Sequence, residues 1–209
     1  MDLPRYTLIQ LEEKALSVIR HYKPASETDQ QAVPIELFIE ALQASGHLSY
    51  SIAELGYVEG YKILGLFTSS PQCAIYIDHS IVDSIRFRFT LAHELGHFVL
   101  HRRISISGAI ADTSESLNET ASVAKGQRQW AEWQANNFAA SILMPQRSLG
   151  TLVFQHAEQF GLGLGEGQLI IPNTATGRAG CERFIDFAAS RFEVSKTSLR
   201  LRMTKLGIL

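Results

Sequence analysis

Residues 90–101 read TLAHELGHFVLH. Two histidines stand four apart, a glutamate follows the first, and a third histidine lies four beyond the second. On a helix, residues four apart differ by about 40° around the axis and about 6 Å along it. His93 and His97 therefore project from one face and can reach a single cation together. Neutral imidazole suits borderline metals, zinc above all. Glu94 lies about 100° round from His93, so it flanks the ion without ligating it. That is the place of a general base for a metal-activated water. Gly96 costs a helix interior about 1 kcal/mol relative to Ala, which implies close approach by another element, with the sheet expected in that role.

His101 lies about 12 Å along the axis from His93, too far to share an ion held at about 2.1 Å. A structural, capping or hydrogen-bonding role suits it, and contact with substrate or an oxyanion stays open. A third ligand must come from elsewhere. The best candidate is Glu132 in EWQANNFAASILMP, residues 132–145. Two His plus one Glu is a standard hydrolytic zinc set, and the small Ala135, Ala139 and Ala140 would let that helix approach the HELGH helix. Asp112, Glu115 and Glu119, in the polar connection between the two helices, are its rivals.

Outward from this pair, the pattern is α+β. Leu8, Leu11, Ala15, Val18 and Ile19 recur at helical spacing over residues 8–22. Pro34 opens a second helix that stops before Gly46. LSYSIAEL, GYKILGLF and CAIYIDH read as three short strands, the last two joined by the turn-rich TSSPQ. They predict a mostly helical chain with a small antiparallel sheet of about three strands packed on the helix of residues 82–101. QWAEWQANNFAASIL reads as the next strong helix, stopped by Pro145. The expected organisation is a core over 1–145, a glycine-rich loop or insertion over 146–182, and a helix-turn-helix-like pair over 183–209 that packs on the core.

Bulk properties exclude several classes. The chain has 209 residues, a net charge of -2 and 45% hydrophobic residues, which suits a globular domain with no global pull toward nucleic acid or anionic membrane. No apolar run approaches the roughly 18 to 20 residues of a spanning helix. Acidic residues stand near the N-terminus where a signal peptide needs an apolar core. Cys73 and Cys181 have no metal-type spacing, so a reducing cytoplasm is the simplest location.

Three blocks, RFRFTLAHELGHFVLH, EWQANNFAASILMP and FAASRFEVSKTSLRLRMTKLGIL, resemble in that order the blocks of the ImmA/IrrE family of bacterial metallopeptidases. The resemblance covers roughly residues 34–145 and the last 27 or so. It implies a zincin-like fold of the gluzincin kind, with His93, His97 and Glu132 as metal ligands and Glu94 as the catalytic glutamate. It also implies an endopeptidase whose substrate is a helix-turn-helix repressor of stress-response or mobile-element genes. Many relatives carry a DNA-binding domain ahead of the peptidase part; here the target is expected on another polypeptide. Zinc is the expected ion, with manganese open beside it.

Tyr76, His101 and Arg147 are candidate substrate or oxyanion contacts, and QCAIYIDH is the expected edge strand for substrate addition. An alternative reading is a DNA-binding or partner-binding regulator that uses this fold without proteolysis. Arg183, Arg191, Lys196, Arg200, Arg202 and Lys205 make the C-terminal pair locally basic, but docking on protein is favoured over DNA. Glu94 argues against a pure binder, which needs no base there.

Overall fold

The computed structural model describes residues 3–22, 31–103, 110–113 and 126–209. Contacts between Cα atoms divide the chain into two compact units, residues 1–15 with 34–139 and residues 16–33 with 140–209. Helices α1 (Leu8–Tyr22) and α4 (Gln127–Leu143) run through both.

The first unit is built on a sheet. Strands β1 (Ser49–Ala53), β2 (Tyr57–Val58), β3 (Tyr61–Thr68), β4 (Ala74–Asp78) and β5 (Ile110–Thr113) form it in the order β1-β4-β3-β2, with β5 also on β3. The three expected strands are present, but the sheet is mixed: β1 runs parallel to β4, and the other pairings are antiparallel. Alternation of apolar residues reports which face a residue takes, not the direction of its neighbour. The same order corrects the expected edge, because β4 lies between β1 and β3.

Helices α2 (Ile35–Ala44) and α3 (Arg86–His101) pack in this unit. Ile35, Phe38, Ile39 and Leu42 of α2 are buried. Arg88 on α3 donates from Nη1 to both carboxylate oxygens of Glu36, at 2.6 and 2.8 Å. Helix α3 starts at Arg86 rather than near 82, because residues 82–85 continue as turn after a short 3-10 turn, His79–Ile81. Asp78 anchors that turn by accepting from the backbone N–H groups of Ser80 at 3.0 Å and Leu55 at 2.9 Å. Burial alone would raise the Asp78 carboxyl, but these donors, the Ser80 hydroxyl and the Lys62 ammonium at 3.2 Å hold it well below the usual carboxylate range.

Residues in register on paired strands share a face. Gly65 lies opposite Ile77 and Phe67 opposite Ile75. This face meets α3: Phe67 stacks on the His97 ring with centroids 6.4 Å apart, and Ile75 and Ile77 are fully buried.

The second unit overturns the expectation of a glycine-rich loop over 146–182. It contains α5 (Gln146–His156), a 3-10 turn (Ala157–Phe160), a hairpin of β6 (Gly163–Gly165) and β7 (Gln168–Ile170), and the first turns of α6 (Ala175–Phe192). The hairpin turns through Glu166 (φ 51°) and Gly167 (φ 84°), both left-handed, as a tight two-residue connection requires. Thr174 caps α6 by accepting from the N–H of Gly177 at 2.9 Å. Gly180 leaves room for a neighbouring backbone, since a Cβ there would lie 2.1 Å from the Phe160 carbonyl oxygen. These glycines serve packing and turning, which composition alone reads as loop. Helix α7 (Lys196–Lys205) follows a left-handed Glu193 (φ 52°) and starts at the Ser195 cap. No helix among the described residues is long and apolar enough to cross a membrane.

Candidate metal centre

Helices α3 and α4 supply the site, and both histidines point from α3 as their spacing predicts. His93 Nε2 and His97 Nε2 lie 2.9 Å apart, and both residues are fully buried. Glu132, on the second turn of α4, completes the cluster. Its Oε2 lies 3.2 Å from His93 Nε2 and its Oε1 3.6 Å from His97 Nε2. One ligand atom from each residue falls within 4.8 Å of the others. Burial alone would push the Glu132 carboxyl up, but the His97 and His93 imidazoles beside it hold it well below the usual carboxylate range.

The approach of α4 explains Gly96. A Cβ there would stand 3.1 Å from the Phe138 ring and 3.3 Å from the Ala135 backbone. The close neighbour is therefore α4, not the sheet, and the Gly96–Ala135 contact sets how near Glu132 comes to α3.

The hydrogen bonds of the donor set bear on whether it can hold an ion. His93 Nδ1 donates to Asn136 Oδ1 at 2.9 Å, because an amide oxygen can only accept. A neutral His93 then presents a lone pair at Nε2, and Glu132 presents its carboxylate beside it. His97 Nδ1 lies 3.0 Å from His101 Nδ1, one donating to the other. Two imidazole nitrogens and one carboxylate fit a hydrolytic zinc site, and the Asn136 contact is the kind that orients a ligating imidazole.

Glu94 follows His93 and is fully buried. Its carboxylate lies over β3 at Gly65, where a Cβ would come within 2.5 Å of Glu94 Oε1 and 2.6 Å of Thr90 Cγ2. The sheet thus carries a residue without a side chain at the point where the glutamate is seated.

The other candidates fall elsewhere. Tyr76 is in register with Leu66, so it takes the opposite face of the sheet from Gly65 and α3. Strand alternation thus removes it as a donor to the site. Arg147 is exposed in the first turn of α5, in the second unit. His101 is 1% exposed and stands behind the His97 ring, in a hydrogen-bonding role to a candidate ligand and not at the surface where a substrate would reach it. Burial first, and then the neighbouring His97 imidazole, lowers its pKa from the ordinary 6.5 to about 3. Of the rivals to Glu132, Asp112 is described only as backbone of β5, and Glu115 and Glu119 lie outside the described residues.

Sequence reasoning missed Asn136 and Gly65. Asn136 follows Glu132 by one helical turn, so that spacing was its available signal. Gly65 reads as an ordinary weak point in a strand.

The C-terminal pair spends much of its basic charge internally. Arg200 pairs with Glu182 at 2.5 Å, and Lys196 pairs with Asp186. Arg202 is 5% exposed and donates to the Met144 carbonyl at 3.2 Å. Arg191 lies 5.7 Å over the Phe187 ring. A surface that must neutralise phosphates keeps such cations outward, and this arrangement weighs against the DNA-binding alternative.

A helix bearing HELGH with a glutamate presented from the following helix is the arrangement of a metallopeptidase centre. The chain belongs to the IrrE N-terminal-like domain family, peptidase family M78, whose model matches residues 58–204. Membership implies a metallopeptidase and a bound metal. A search of curated proteins found no match.

Proposed function

We propose that the protein is a zinc-dependent endopeptidase in which His93, His97 and Glu132 hold the ion and Glu94 is the general base. The observation that carries this reading is the convergence of these three side chains within 4.8 Å, next to a fourth, buried acid in a family of peptidases. When bound, zinc supplies Lewis acidity to the scissile carbonyl and brings the pKa of a water it holds to near 7. Glu94 takes a proton from the attacking water as its oxygen adds to the carbonyl carbon. It returns that proton to the amide nitrogen as the C–N bond breaks.

The substrate reading is a helix-turn-helix repressor in the cytoplasm, supported by the family resemblance. Backbone pairing of substrate suits β5, which among the described residues pairs only with β3. Strand β3 carries Gly65 under Glu94, so a chain added at the other edge of β5 lies two strand positions from β3, about 10 Å away.

Co-expression with a repressor-like protein encoded nearby, comparing wild type with Glu94→Gln, tests the assignment. Cleavage by wild type and a drop of roughly 10²- to 10⁴-fold in the variant are expected, with zinc content unchanged. Undiminished cleavage in the variant removes Glu94 as base. Zinc binding without cleavage of any candidate favours the regulator alternative.

A further inference from the structure

Glu132 sits near the start of a helix, where a ligand is least secure. It lies on the second turn of α4, and residues 126–129 ahead of that turn are exposed. The leading N–H groups of a helix have no partners within it, and the end frays unless something packs there. On one side the Gly96–Ala135 contact holds this part of α4 to α3. On another side the neighbour is the segment ahead of α1. The Pro4 carbonyl oxygen accepts from Gln134 Nε2 at 2.8 Å, across 130 residues of sequence, and Gln134 is fully buried. Leu3 is buried and packs with Ala131 and Trp130. The Arg5 guanidinium carbon lies 5.9 Å from the centroid of the Trp130 ring. Ala131 is about 100° round the helix from Glu132, and Gln134 about 160°. The segment therefore grips the back of the turn whose front carries the carboxylate.

The local sequence suits this pose. Pro4 fixes its own φ and confines Leu3 to extended backbone, so docking immobilises few free torsions. Thr7 and Gln10 close a reciprocal capping box at the start of α1. The Gln10 N–H donates to Thr7 Oγ1 at 3.3 Å, and the Thr7 N–H donates to Gln10 Oε1 at 2.9 Å. The chain therefore enters α1 in a fixed direction, with residues 3–5 aimed at α4.

We propose that residues 3–5 are a positioning strap: docked on Trp130, Ala131 and Gln134, they keep the first two turns of α4 wound and Glu132 at the metal cluster. The proposal rests on the metal reading of the site and deepens it. When the strap is released, the turn unwinds for part of the time, and the cluster then offers two ligands in place of three. Apparent affinity for the ion falls with the fraction of molecules in which the turn is wound. The coupling is reciprocal, so an ion held by Glu132 also tightens the strap. A segment remote in sequence thus sets the affinity of the site without touching the ion.

The test uses the full chain, zinc ion and Leu3→Asp, which puts a charge into the contact with Ala131 and Trp130 and leaves the three ligands as they are. Amide hydrogen exchange of the zinc-free protein is the first readout and needs no ion. Residues 130–134 should exchange about tenfold faster in Leu3→Asp, and residues 93–97 at the wild-type rate. Zinc affinity, read by competition against a chelator, is the second, and it should fall about tenfold. Leu169→Ala trims a buried side chain of β7 in the second unit. That control should lower the urea midpoint and keep wild-type affinity. Should Leu3→Asp not fold, Leu3→Ala is read in its place, with shifts in the same direction and smaller. Unchanged exchange at residues 130–134 overturns the proposal, as does wild-type zinc affinity in a variant whose exchange has risen. An equal loss of affinity in Leu169→Ala also overturns it, because the effect would then be one of general stability. A wild type that binds no zinc overturns this proposal together with the metal reading.

Discussion

Helices α3 and α6 both carry glycines where another part of the chain comes close, yet α3 reads as a helix across its glycine, whereas α6 reads as one only from residue 183 onward, beyond its glycines. In α3, Gly96 stands alone among Leu91, Leu95 and Phe98, all buried, and the apolar spacing outweighs it. In α6, Gly177 and Gly180 follow a stretch already dense in glycine, and no apolar stripe begins until Cys181 and Phe184. The structural reason for the glycines is the same in kind. Gly96 admits the Ala135 backbone, and Gly180 admits the Phe160 carbonyl. A glycine's neighbour is tertiary information, so the residue signals loop or contact only once its partner is known.

The comparison can be broken by putting a methyl group at each contact. The largest loss is expected for Gly180→Ala, whose Cβ would lie 2.1 Å from a backbone oxygen that cannot rotate away. Overpacking of this kind costs about 3 kcal/mol, read as a lower urea midpoint, with zinc affinity retained. A variant as stable as wild type would mean the α6 contact is looser than described.

Next is Gly65→Ala. Its Cβ would meet Glu94 Oε1 at 2.5 Å and Thr90 Cγ2 at 2.6 Å, so both buried side chains must give way and the glutamate is displaced. A displacement of this size should lower kcat by about a hundredfold, with zinc content intact. Normal turnover would separate Glu94 placement from activity.

The pH response ranks third. His101 has a native pKa of about 3 against an ordinary 6.5. As pH falls, the unfolded chain takes this proton before the native one does. The contribution is therefore complete above about 6.5 and is lost progressively down to about 3. Between pH 7 and 5 the zinc-free protein should lose about 2 kcal/mol from this group. Chemical denaturation at several pH values checks this, and His101→Asn should flatten the slope by about one proton.

The smallest effect on stability belongs to Gly96→Ala. Its contacts of 3.1 and 3.3 Å require neighbours to give by a few tenths of an ångström, while the helix gains about 1 kcal/mol in propensity. Stability should change by less than about 1 kcal/mol. Zinc affinity should still fall a few-fold, because α4 carries Glu132; equal affinity would show that the helix spacing is slack.

The site was more legible than its supports. His93, His97 and Glu94 were readable because a helix converts spacing into direction. Glu132 was readable because a zinc set lacked a member and the alanines after it allowed approach. Asn136 escaped because an imidazole N–H can donate to many kinds of acceptor, so no residue type is singled out. The parallel pairing of β1 with β4 escaped because alternation is blind to strand direction. The hairpin through Glu166 and Gly167 was hidden among glycines whose neighbours lie outside the local sequence.

Trp130 and Trp133 stack with ring centroids 4.7 Å apart, on either side of Glu132 in the sequence. The chain has two tryptophans, so all of its indole fluorescence originates within one helical turn of that carboxylate. Excitation at the red edge of protein absorbance therefore interrogates the start of α4 with no background from the second unit. The molecule carries its own optical reporter of ion uptake, and labelling is unnecessary.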